Sequence, residues 1–496
     1  MQSKRIAIVG SGCAGLGALW ALKRTDHDVH LYEAQDRLGG HTNTVPFSKD
    51  GVKTMVDSGF IVMNAATYPN FIAFLRELQI ETVDTDMTFG VSRDHGLFEW
   101  AGSSPAAIFA QTSNLLQPSM WRMIFDILRF NQFALDLLIQ EGLHGSNSDG
   151  PQETIGEYLE REGYSDRFRN DYLIPMTAAV WSTSPDKCSL QFPAVTLIRF
   201  MWNHHLLTAI SKRPKWMTIP GGAKRYIEAV LKEFPADHIH LRSPVTSVLK
   251  SDEDCVILTT SGGQVQSYDH VILATHGDQA LEIIQPGATE AEKEILAQFQ
   301  TNKNVAVLHS DTRLMPQRRI AWSAWNYITR SSATSSNIDQ VCLTYWMNLL
   351  QHIPEDRFGP VLVTLNPLFD PAPALTQGRW DYAHPLYTPA AVRAQGLLPT
   401  IQNTRGISYA GAWTKYGFHE DGFSSGLKVA MDHLGATLPF PFVDSTFSRG
   451  KVPVLGLKDR IARTVLWSIQ LAIVILSGLL GRLQGTVGPQ LKNKVQ

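Results

Sequence analysis

The chain begins with a run that is apolar at every position, Ile6-Ala7-Ile8-Val9, broken by Gly10-Ser11-Gly12-Cys13-Ala14-Gly15. A strand that faces water on one side alternates polar and apolar residues, so an unbroken run predicts a strand buried on both faces. The uncharged stretch continuing to Leu22 predicts a helix, and His30-Leu31-Tyr32 a second strand closed by the acid Glu33. Residues 65–210 then follow a helical period, clearest over Tyr68–Leu75 and Trp121–Leu138. Pro220-Gly221-Gly222 opens a turn and another helix. Ile239-His240-Leu241 and Val256-Ile257-Leu258 read as strands, and Gly262-Gly263 as a hairpin turn. Val271-Ile272-Leu273-Ala274-Thr275 is again apolar enough for a buried strand.

The glycine break carries candidate chemistry. Gly10 permits a tight turn, Gly12 lets backbone approach a pyrophosphate, and Gly15 lets the new helix pack against the strand. Ser11 and Ala14 complete the turn, whose helix aims free N–H groups and a positive dipole end at bound phosphate. Glu33, 18 residues past Gly15, is spaced to grip a ribose 2′-OH, which favours FAD or NAD over a 2′-phosphorylated nucleotide. A second close approach of backbone is expected at Gly39-Gly40, with Arg37 available to phosphate charge.

A length of 496 residues with 44% hydrophobic content supplies several cores, and a net charge of −2 gives no basis for nucleic-acid binding. Cys13, Cys188, Cys255 and Cys342 lie far apart, as reduced thiols of a cytosol-facing protein do. With no His-x-x-x-His or Cys-x-x-Cys, and with His204 and His205 adjacent, no metal site is expected. The glycines at 10, 12, 15 and 17 argue against a cleavable signal in the uncharged N-terminal stretch. Near the other end, Thr464–Gly481 is uncharged over 18 residues. As a helix it would be roughly 27 Å long, marginal for a bilayer. Lys451, Lys458, Arg460 and Arg463 before it, against Arg482 after it, predict a membrane helix over 464–481 with the body on the cytosolic side. A helix docked on protein is the competing expectation.

In their order along the chain, these pieces resemble the flavin amine oxidase and phytoene desaturase superfamily. The resemblance rests on the glycine fingerprint, Glu33, Gly39-Gly40, Pro244-Val245, Val271–Thr275, Tyr409-Ala410-Gly411-Ala412-Trp413 and Gly422-Phe423-Ser424-Ser425-Gly426, and it spans residues 4–435. It implies a two-lobed α/β flavoprotein, in which a Rossmann-type FAD domain (1–62, 215–284, 405–436) is interrupted by a mixed α+β substrate domain (63–214, 285–404). A tail over 437–496 follows. It also implies noncovalent FAD, with Val245 beside the adenine and Gly411 near the ribityl chain. The helix starting at Gly422-Phe423 would point its N-terminus at the flavin pyrimidine. No cysteine follows Cys342, so the covalent cysteine of some relatives has no counterpart. Many relatives carry Arg where this chain has His41, which shifts pyrophosphate neutralisation to Arg37.

Candidates for catalysis are His419, suited to proton transfer, and Lys303, because amine oxidases often position a lysine over flavin N5 through a water. A surface lysine and a structural imidazole are the competing readings. Trp413, Tyr416 and Phe418 are candidates for the substrate face, and Asp421 for a helix cap. The expected activity is an FAD-dependent oxidoreductase that takes hydride from a C–H bond of a small, hydrophobic, lipid-like substrate. O₂ or another acceptor would then remove the electrons. An FAD-dependent isomerase or mutase, with no net oxidation, is the alternative.

Overall fold

The computed structural model describes residues 2–144, 153–181, 190, 192–207, 214–232, 234–251, 253–330 and 342–485. The chain opens with β1 (Arg5–Val9), α1 (Cys13–Leu22), β2 (Asp28–Tyr32) and the hairpin β3 (Thr44–Lys49) and β4 (Val52–Asp57). The mainly helical stretch after it holds α2 (Pro69–Glu77), β5 (Phe89–Arg93), β6 (Phe98–Ala101), α3 (Pro118–Phe133), α4 (Leu135–His144) and α5 (Ala194–Asn203). Next come α6 (Lys224–Leu231), β7 (Ile239–His240), β8 (Val245–Lys250), β9 (Val256–Thr260), β10 (Val265–Tyr268), β11 (His270–Leu273) and α7 (Gly277–Ile284). Strands β12 (Thr301–His309), β13 (Trp325–Thr329), β14 (Cys342–Trp346), β15 (Leu362–Leu365) and β16 (Thr376–Pro385) follow. The closing elements are β17 (Ile407–Tyr409), α8 (His419–Leu434) and α9 (Leu457–Gly485).

Five strands form one parallel sheet in the order β7-β2-β1-β11-β17. Both faces are covered, which explains the unbroken apolar run of β1. Ile6 and Ile8 pack toward α1 and α8, while Ala7 and Val9 pack toward the antiparallel meander β8-β9-β10 and α7. Nine of the ten residues of α1 are buried, so the uncharged N-terminal stretch is core helix. It lies against α8 at backbone contact. A Cβ on Gly426 would fall 1.9 Å from the Ala14 carbonyl oxygen, and one on Gly17 would fall 2.7 Å from that of Phe423.

A second, seven-stranded sheet runs β16-β12-β15-β14-β13-β5-β6. The first insertion supplies β5 and β6, joined by the parallel pair β5–β13, and the second supplies the rest. Its apolar face and the helices α3 to α5 share a core that includes Val91, Met123, Phe130, Ile198, Leu308 and Val363.

The tail is helical as expected, forming α9. Among the described residues no helix is long and apolar enough to cross a bilayer. The first turns of α9 carry Lys458, Asp459, Arg460 and Arg463. Arg463 pairs with Asp136 of α4 at 2.6 Å, and Leu466 is buried, so the helix docks on the body there. Val465, Trp467, Val474 and Ile475 are exposed.

Candidate functional site

The glycine turn after β1 has the form expected of a phosphate cradle. Gly10 sits at φ +99°, and a Cβ there would lie 2.7 Å from the Ala274 carbonyl oxygen. Gly12 is the N-cap of α1, and no side chain caps that end. The first N–H groups of the helix have no intrahelical partner. A Cβ at Gly12 would meet nothing within 4 Å, so the donors open onto free space beside the turn. At Gly15 a Cβ would be 1.9 Å from the Gly10 carbonyl oxygen, which holds the helix against the turn. Ala14, in the first turn of α1, is buried with its carbonyl against α8. Open, uncapped N–H groups at a helix start fit the diphosphate of a dinucleotide.

Glu33 reaches back onto this turn. Its Oε2 accepts from the Ser11 N–H at 3.0 Å and from the Ser11 hydroxyl, and its Oε1 accepts from the Gln35 N–H at 2.9 Å. The segment ahead of Val245 is tied to the same corner, because Ser243 N–H donates to the Glu33 carbonyl at 2.9 Å. Gly39 and Gly40 both take positive φ, and a Cβ on Gly40 would lie 3.2 Å from Gly12 Cα, so the two glycine turns adjoin. Arg37 braces this loop by donating to the Gly40 carbonyl at 2.9 Å.

His41 sits in a polar cluster that the sequence does not announce. Its ring stacks on Tyr382 at 4.9 Å and lies 5.0 Å from His384 and 6.1 Å from His276. Burial, then the neighbouring imidazoles, hold His41 well below the usual histidine range, and burial lowers His384 to about 4. All three rings are therefore neutral near pH 7, which leaves Arg37 as the cation of residues 33–42. The Nε2 atom of His41 is buried and finds no hydrogen-bond partner among the described residues, so a polar group of a ligand is accommodated beside it. Around it, Tyr382 bonds Ser58 at 2.7 Å and Asn43 at 3.1 Å, and Asn304 donates to His384 Nδ1 at 2.8 Å. The one sequence signal was the alternation Trp380-x-Tyr382-x-His384 against Arg379 and Asp381 along β16.

Several expected roles move. Lys303 is exposed on β12, and its neighbour Asn304 is the one turned to the His384 side, because adjacent strand residues face opposite ways. His419 is buried, stacked on Phe60 at 3.7 Å and bonded to the Tyr226 hydroxyl at 3.3 Å. Burial lowers it to about 3, so the ring is neutral near pH 7. Helix α8 begins at His419, not at Gly422, because Asp421 accepts the Phe418 N–H at 3.0 Å and caps the helix a turn earlier. Gly422 instead allows close passage, since its Cβ would lie 2.5 Å from Cys13 Sγ. Phe423 is fully buried among Phe71 and Phe74 and presents no side chain to a cofactor.

Gly411 sits at the end of β17, where its N–H donates to Ser425 at 2.8 Å. Trp413 belongs to the core behind the sheet, donating to the Thr275 carbonyl at 2.9 Å. Tyr416 and Phe418 do reach the helical insertion: with Phe192, Phe200, His204 and Tyr387 they form a continuous aromatic cluster. Asp57 and Glu420 are clasps. Asp57 accepts from the Ala223 N–H at 3.0 Å ahead of α6 and from Gln351 at 2.7 Å. Glu420 accepts from the Asn70 and Phe71 N–H groups at the start of α2. Burial pushes each acid up to about 7. Cys13, Cys255 and Cys342 are free thiols, and Cys188 lies outside the described residues. The fold brings His238, far away in the sequence, together with Asp28 and His30 at the sheet edge.

Comparison with known proteins agrees with this geometry. Residues 13–433 match the family described as flavin containing amine oxidoreductase. An L-amino-acid oxidase of Bungarus fasciatus is 27% identical over 187 residues, 32% of this chain and 34% of that protein. A 15-cis-phytoene desaturase of an Oncidium hybrid cultivar is 25% identical over 334 residues, 64% of this chain and 53% of that protein. Among solved structures, cyclohexylamine oxidase from Brevibacterium oxydans superposes with a TM-score of 0.61 at 16% identity, covering 86% of this chain and 98% of the other. A fatty acid isomerase from P. acnes that produces CLA gives 0.60 at 14% identity, covering 87% and 99%. At such identities the structures establish a shared fold.

Proposed function

Starting from the flavin containing amine oxidoreductase family, to which this chain belongs, we propose that it is an FAD-dependent oxidoreductase acting on a C–H bond of an apolar small molecule. The observation that carries this reading is the cradle where Gly12 and Gly40 adjoin at the uncapped start of α1. Bound there without a covalent link, FAD supplies the hydride acceptor. The N–H groups of α1 hold its diphosphate, Glu33 its ribose, and Arg37 adds the positive charge of the loop. The positive end of the 16-residue helix α8, beside the turn at 411–417, favours negative charge developing near it. The aromatic cluster of Phe192, Phe200, Tyr387, Tyr416 and Phe418 supplies a water-excluding wall. Its one histidine, His204, is lowered to about 4 by burial and stays neutral, which suits an apolar substrate.

Attachment to a membrane surface, with the body on the cytosolic side, is part of the same proposal. The exposed apolar residues Val465, Trp467, Val474 and Ile475 of α9, next to Lys458 and Arg460, support it.

Anaerobic mixing with long-chain unsaturated lipids and with primary amines tests the activity. Bleaching of the flavin band by the lipids, with acceptor consumed on readmitting air, is expected. Bleaching by amines alone would overturn the apolar substrate. An altered double bond with no acceptor consumed would replace the oxidoreductase reading with the isomerase one.

A further inference from the structure

At the edge of the parallel sheet, β7 lies beside β2, and two short patterns meet there: Asp28-Val29-His30 on β2, and His238-Ile239-His240 at the turn that leads into β7. His30 Nε2 is 3.2 Å from Asp28 Oδ1, and His238 Nδ1 is 3.6 Å from the same oxygen. The ligand atoms of all three residues lie within 4.8 Å of one another. Ligands at the bond lengths zinc prefers sit about 3.4 Å apart on a tetrahedron, so the spacing suits that ion. The other nitrogen of His30, Nδ1, is 3.1 Å from His240 Nε2. That leaves Nε2 to a metal and gives the ring the outer hydrogen bond that orients a ligating imidazole. The His30 side chain is 11% exposed and that of Asp28 43%, so the cluster is anchored on protein and open on one side. A cavity of about 370 Å³ bordered by Arg5, His30, Tyr32 and His240 gives solvent access.

We propose that Asp28, His30 and His238 bind one divalent zinc-class cation, with His240 as the positioning residue and water completing the shell. Two imidazoles and one carboxylate are the ligand types such an ion takes. The ion fastens the short edge strand β7 to β2, upstream of Glu33. Three features oppose it. The His30 and His238 rings stack at 4.2 Å and 18°, so one must turn before both nitrogens face a single ion. His238 Nδ1 donates to the Val29 carbonyl at 3.0 Å, a bond that metal replaces, and Arg5 Nε stands 3.3 Å from Asp28 Oδ2. The site is distinct from the glycine cradle, at the opposite end of β2 from Glu33, and owes nothing to flavin chemistry.

Equilibrium dialysis of the untagged, flavin-loaded protein against zinc chloride, after chelator treatment, tests the proposal. One zinc per chain at micromolar free metal, with a raised Tm, is expected. His238→Ala and the isosteric Asp28→Asn should each bind at least about 10-fold more weakly while keeping the wild-type flavin spectrum, and His240→Ala should lose about 10-fold through its outer hydrogen bond. No uptake by the wild-type protein, or equal uptake by Asp28→Asn and His238→Ala, would overturn the site and leave a hydrogen-bonded cluster around His30.

Discussion

Glu33 carries two loads, holding the Ser11 turn through its carboxylate and presenting acceptor capacity at the tip of β2. Hydrogen bonds to a charged group contribute roughly 1.5–3 kcal/mol each. Glu33→Ala should therefore weaken FAD binding by about 10- to 100-fold, and Glu33→Gln, which keeps an acceptor for the Ser11 N–H, by less. Flavin content after gel filtration reads this directly, and unchanged content in Glu33→Ala would remove the ribose role. At this scale the sequence was informative where the chemistry is local. Gly10, Gly12 and Gly15 and the acid after them lie within one strand-turn-helix-strand unit, and their backbone demands follow from their spacing. His384, Tyr382 and Asn304 were not legible, because they meet His41 only through pairing of β12 with β16 and packing across the two lobes. Nor could His419 be read as a packing ring before Phe60 and Tyr226 were placed around it.

Among the elements, the contact of α1 with α8 is the tightest constraint on the cradle. Gly426→Ala places a Cβ against the Ala14 carbonyl oxygen, a backbone atom that cannot swing aside. The helices must separate, at a cost of about 1–3 kcal/mol or more. A lowered Tm and weaker flavin retention are expected together, because the start of α1 moves with the helix. Gly396, in the helix Pro389–Leu397, has nothing within 4 Å of its Cβ and serves as the control. Gly396→Ala should stabilise by about 0.5–1 kcal/mol. If thermal melts show both substitutions to be equally harmless, the close passage of α1 and α8 is wrong. The uncharged run after the glycine turn located α1, and the resemblance located α8. It misplaced the start of α8 because Asp421 caps it across three residues from a Phe, which no N-cap preference marks. Likewise, Asp28-x-His30 and His238-x-His240 become one cluster only when β7 joins β2 in parallel across more than 200 residues.

For the whole molecule, burial of neutral imidazoles sets the response to acid. His270 is lowered to about 3, and His309 and His384 to about 4, each mainly by burial, against 6.5 when exposed. As pH falls below 6.5 the unfolded chain takes up these protons first, so their contribution to stability is complete above 6.5 and is lost toward 4. Asp57, Glu420 and Asp421, raised to about 7, 7 and 6, act oppositely, with stability lost as pH rises through that range. His384→Gln should keep more of its urea stability than wild type on moving from about pH 7 to about pH 5. Parallel losses in the two proteins would show that His384 is not buried as a neutral ring. Removing residues 451–496 should shift the protein from vesicle pellets to the supernatant with its flavin retained, whereas continued pelleting would place membrane attachment elsewhere. Function turns above all on the glycine cradle holding a flavin dinucleotide. The most direct test is the visible spectrum of the purified protein, before and after heat release of its cofactor. One FAD per chain, passing into the supernatant on heating, is the predicted result. A colourless protein that takes up no added FAD would contradict it.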